Sequence, residues 1–106
     1  MEEIDILRAA GVEPKFVGGV LLLTVDQVRV LLLMVERKGW IIWGLDGFEI
    51  VDRGVRPDMD EIADWSDLEK TAGDQLSLIS IEATTWFLDT VARADRSYEV
   101  VISERA

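Results

Sequence analysis

Ten carboxylates fall between Asp46 and Asp74, at positions 46, 49, 52, 58, 60, 61, 64, 67, 69 and 74, against only Arg53, Arg56 and Lys70. This stretch therefore holds −7 of the chain's formal −10. Carboxylates at this density can ligate a hard cation, pair with a cationic partner, or simply keep a face solvated. The alternating Asp pattern, mid-loop Gly and terminal Glu of an EF-hand are absent, so neither a resident metal nor any other cofactor is expected. A solvated face and a docking surface for a basic protein stay as two readings. For docking, the contacts are Glu49, Asp58, Asp60, Glu61, Asp64 and Asp67, with Trp65 among them, flanked by Asp64 and Ser66. An exposed indole among carboxylates suits arginine through cation-π contact and charge pairing together. The alternative for Trp65 is that it anchors its own element.

Other chemistry is thinly provided. With no His and no Cys, no Ser-His, Cys-His or common zinc constellation can be assembled. Gly18-Gly19 is not followed by the Gly-Lys-Ser/Thr of a phosphate loop. An enzyme is not expected. A pI near 4.3 repels phosphate backbones and anionic membranes, so nucleic acid and membrane surfaces are disfavoured partners. The most apolar window, Val20 to Val35, carries Asp26, Gln27 and Arg29 and is shorter than the ~20 residues of a membrane span. The acidic Met1-Glu2-Glu3 start is unlike a secretory signal, and the lack of Cys fits a reducing compartment; cytoplasm is the expectation.

The elements that must position the acidic stretch read as one domain over 1–106. A short helix over 2–10 precedes Gly11 and Pro14, and Val20 to Leu23 reads as a buried strand or an apolar lead-in. Thr24 with Gln27 three residues on predicts a capped helix over 25–38, closed by Arg37, Lys38 and Gly39. Its Val28, Leu31, Leu32 and Val35 form one stripe, widened by Val30, Leu33 and Met34; burial is one reading and a homodimer seam, on Val30, Leu33 and Met34 or on the Trp40 face, the other.

Asp46-Gly47 between β-prone residues predicts a tight hairpin with Ile41, Trp43, Leu45, Phe48 and Ile50 on the core face and Trp40, Ile42, Gly44, Glu49, Val51 and Arg53 on the other. A single strand bulged at Gly47 is the alternative. Arg56-Pro57-Asp58 then breaks the sheet, and Asp58 caps a short helix that sets Asp60 and Asp64 one turn apart, with Met59, Ile62 and Ala63 on one side. Residues 66–76 read as loop, Ser80 and Glu82 start a helix running to about Ala94, and Tyr98, Val100 and Ile102 alternate as a strand beside the hairpin. Trp43 and Trp86 are assigned wholly or partly to the core. The fold class is α+β, two main helices packed on a small antiparallel sheet, plus short helices.

The order of a Thr-capped helix, Lys38-Gly39-Trp40, Gly44-Leu45-Asp46-Gly47-Phe48, Arg56-Pro57-Asp58-Met59 and Ile62-Ala63-Asp64-Trp65-Ser66 resembles small bacterial immunity proteins of polymorphic toxin systems. The resemblance spans roughly residues 24–104 and fixes no contact residue. It implies an inhibitor that neutralises a basic, nuclease-like toxin by binding it; the alternative is a structural homodimer or assembly subunit without activity.

Overall fold

Thr24 sets the first long element. Its hydroxyl accepts from the Gln27 amide at 3.2 Å, and the Gln27 side chain accepts from the Thr24 amide at 2.9 Å, so two otherwise free helix-terminal donors are satisfied. The computed structural model describes residues 3–13, 15–17, 19–51, 54–70 and 73–104. In it this helix, α2, runs Val25–Lys38 and ends at Gly39 with φ 68°, where a Cβ would be strained. Val28, Leu31, Leu32 and Val35 are buried, Val30 and Met34 half-buried, and Leu33 is 61% exposed. Helix α1, Glu3–Ala9, places Leu7 in the same core. Strand β1, Lys15–Val17, pairs with β2, Val20–Leu22, giving the apolar lead-in a strand role that pairing with 15–17 stabilises.

The main sheet joins β3, Ile41–Val51, β4, Gly54–Asp64, and β5, Ser97–Ser103, all antiparallel in the order β4-β3-β5. The hairpin expected at Asp46-Gly47 is overturned: β3 runs straight through, and the reversal lies between Val51 and Gly54, with Asp52 and Arg53 outside the described residues. Gly47 is needed for close approach rather than for a turn. A Cβ there would lie 2.5 Å from the Glu61 Cβ. The register with β4 jumps at this point, since Asp46 pairs with Ile62 but Gly47 with Asp58, so residues 59–61 are accommodated as a bulge in β4.

The short helix from Asp58 is likewise a strand. Pro57 does not break the sheet because β4 is an edge strand, where a missing amide need not weaken the interior ladder. Met59 and Ile62 are exposed and Ala63 is buried, so the three share no common side. A second bulge, at Trp43 opposite β5, reverses the alternation of β3. Ile42 and Leu45 therefore enter the core, Ile41 is buried outside it, Phe48 is half-buried, and Ile50 is exposed.

Two short 3-10 turns, Ser66–Lys70 and Gly73–Gln75, occupy the expected loop and lead into α3, Leu76–Thr90. This helix starts and ends about one turn before its predicted limits. Ser80 is not a cap: its hydroxyl donates to the Ser77 carbonyl at 2.8 Å and accepts from the Ile42 amide at 3.2 Å, serving the sheet from inside the helix. The α+β class holds, but α3 lies on β3 while α2 packs on α3 and on β5. Leu23 exchanges two backbone hydrogen bonds with Tyr98, tying the end of β2 to the outer edge of β5.

Candidate functional site

The acidic stretch divides by geometry. Glu49 pairs with Arg56, whose guanidinium hydrogen bond holds its carboxyl below the usual range. Asp58 pairs with Arg96 at 2.9 Å, both side chains largely covered, at 17% and 14% exposure. That bond, helped by the Asp60 amide on Asp58, lowers the Asp58 pKa and raises that of Arg96. Glu61 is 2% exposed; its Oε1 accepts from the Tyr98 hydroxyl at 3.1 Å and its Oε2 is buried without a partner among the described residues. Glu61 is thus corrected from a docking carboxylate to a buried one.

Trp65 is corrected too. It is half-buried against the core, its indole donating to Thr84 Oγ1 at 3.2 Å and its amide to the Trp43 carbonyl at 2.7 Å, so it anchors the end of β4. Only Asp60, Asp64 and Asp67 of the expected set stand exposed. Asp64 is held ionised by the hydroxyl and amide of Ser66, the amide at 2.9 Å. Trp86, expected wholly or partly in the core, is 57% exposed.

The face of the sheet turned away from the helices follows from register. Leu45 pairs with Ala63 and Val100, all three buried, so the flanking rows Val101–Gly44–Asp64 and Glu99–Asp46–Ile62 point the other way. Gly44 cannot carry a side chain, because a Cβ would meet the Ala63 carbonyl oxygen at 2.4 Å. Its bareness leaves a hollow of about 230 Å³, walled by Trp43, Ile62 and Val101 and flanked by Asp46 and Asp64. The Trp43 indole is fixed by donating to Ser103 Oγ at 2.7 Å. Unbroken alternation with Leu45 would put Trp43 on the core face, and the bulge between Ile42 and Gly44 turns it to the other; the signals for the site in the sequence are Gly44 within a β-prone run and the alternation after Ser97.

Elsewhere, Leu33, Glu36 and Arg37 line a shallow depression on α2, and Lys38 lies 5.7 Å from the centroid of the Trp40 ring. Among the described residues no group of three or more acidic, His or Cys side chains is placed to hold a metal ion, and no helix is long and apolar enough to cross a membrane. No family model, curated protein or solved structure matches the chain.

Proposed function

We propose that the chain is a protein-binding module for a basic partner rather than an enzyme, and most concretely an immunity-type inhibitor that neutralises a basic, nuclease-like toxin by covering its positive cleft. One observation carries the reading: Asp46, Asp60, Asp64 and Asp67 form no ion pair among the described residues, while exposed Met59 and Ile62 share β4 with Asp60 and Asp64, and exposed Val101 lies on β5 opposite Gly44, close to Asp46. Unpaired carboxylates accelerate encounter with a cationic surface, and apolar area beside them slows dissociation. Occlusion needs no catalytic group on this chain.

The test is co-expression with the basic protein encoded beside its gene. Rescue of growth and a stable complex are expected, and Asp60, Asp64 and Asp67 changed together to Lys should slow association with little change in folding stability. Absence of both rescue and complex would sink the proposal. Self-association through α2 is the second reading, favoured by exposed Leu33. A concentration-independent monomer in light scattering removes it.

A further inference from the structure

The hollow over Gly44 has a chemistry narrower than that of an acidic surface. Its size, about 230 Å³, falls below the roughly 300 to 1,000 Å³ of small-molecule pockets, which suits one side chain rather than a cofactor. Its walls are apolar, its flanks are carboxylates, and none of its lining residues is cationic. The Asp46 side chain makes no hydrogen bond or ion pair among the described residues, and the Asp64 side chain spends one oxygen on the Ser66 amide. The helices pack on the opposite face, through Ile42, Leu45 and Val100.

We infer that this hollow seats one arginine side chain of a basic protein partner, its stem lying along Ile62 and Val101 and its guanidinium held between Asp46 and Asp64 beside the Trp43 indole. The inference rests on the basic-partner reading above and names the residue that partner must present. Arginine fits better than lysine because its planar, weakly hydrated fork can stack on an indole while donating to two carboxylates. A second copy of this chain fits poorly, since a formal charge of −10 sets two such faces against each other. The bare floor is not incidental. Any side chain at position 44 would fill the seat, and the Ala63 carbonyl forbids one.

The probe is a blocked octapeptide of four Gly-Arg repeats, titrated into the full chain while indole N–H signals are followed by NMR, with Trp43→Phe to assign its signal. The Trp43 signal should move. Asp46→Asn and Asp64→Asn should each weaken binding about fivefold or more, and Asp67→Asn less than about twofold. The citrulline peptide, equal in shape but neutral, should not bind, and the lysine peptide should bind more weakly. Unfolding midpoints of the Asn variants close to that of the parent chain secure the comparison. An unmoved Trp43 signal, a loss at Asp67 equal to that at Asp46, or lysine binding equal to arginine would overturn the seat. Rescue of growth with the seat overturned would leave the basic-partner reading standing, whereas failure of rescue removes that reading on its own terms.

Discussion

Tyr98 of β5 donates its hydroxyl to Glu61 of β4 at 3.1 Å although β3 runs between their strands. The contact passes over Gly47, the one residue type that leaves room for it. A Cβ at position 47 would lie 2.5 Å from the Glu61 Cβ and 3.2 Å from the Tyr98 ring. The bulge of β4 delivers the carboxyl group, the glycine admits it, and the phenol receives it.

Gly47→Ala should therefore destabilise the chain although alanine suits a strand at least as well as glycine. Overpacking against a fixed neighbour typically costs about 1 to 3 kcal/mol, read as a lower urea midpoint with an unchanged slope. A loss below about 0.5 kcal/mol, the range of neutral surface changes, would mean that Glu61 moves aside freely and that the three-strand contact is not rigid.

Tyr98 is the only tyrosine in the chain, so its ionisation can be followed alone by ultraviolet absorbance. Burial, with the Glu61 carboxyl beside it, raises its pKa from 10.0 to about 12. The folded chain thus keeps the phenolic proton to higher pH than the unfolded chain does. The stability this supplies is complete below about pH 10 and is lost as pH rises towards 12. A native midpoint near 10 would show that the ring is open to solvent. Tyr98→Phe should also leave both Glu61 oxygens and the Arg93 amide unpaired, at a cost of about 1 to 3 kcal/mol or more.

How far these relationships could be read in advance depends on their range. The Thr24 box, the buried stripe of α2 and the strand over Tyr98 to Ile102 are local patterns of 3.6 and 2 residues, and the fold realises each. What misled were Asp46-Gly47 and Asp58, residues with turn and cap preferences that long-range pairing overrode: one glycine was needed for Glu61 to approach and the aspartate for Arg96. The bulge at Trp43 then exchanged the faces of β3 before Leu45, and the unbroken run of β3 through Asp46-Gly47 exchanged those after it, so the carboxylates were legible as a cluster but not as a surface.

Ser80 gives a test of the join between helix and sheet. Its hydroxyl accepts from the buried Ile42 amide, beside the bulge at Trp43. Ser80→Ala should cost about 1 to 3 kcal/mol, because an unsatisfied buried amide remains, whereas Thr85→Ala, which removes only a bond within the helix, should cost less. Hydrogen exchange supplies the local readout: the Ile42 amide should lose protection in the Ser80 variant and keep it in the Thr85 variant. Equal protection in both would show that the Ser80 bond does not secure the strand.

Acid should weaken the tie between Asp58 and Arg96. Its carboxyl is held below the ordinary 3.8 by Arg96 and by the Asp60 amide, so it binds a proton less readily folded than unfolded. The stability from this difference is present above about pH 4 and is lost as pH falls through the lower, folded value. Arg96→Gln removes the main cause of the shift. The variant should therefore be less stable than the parent chain at pH 6, and the gap in urea midpoint should narrow below pH 4. Because both side chains are largely covered, salt should change the gap less than it changes the exposed Arg93–Asp95 pair. A gap that stays constant down to pH 2 would assign the loss to packing of the arginine stem instead of to the ion pair.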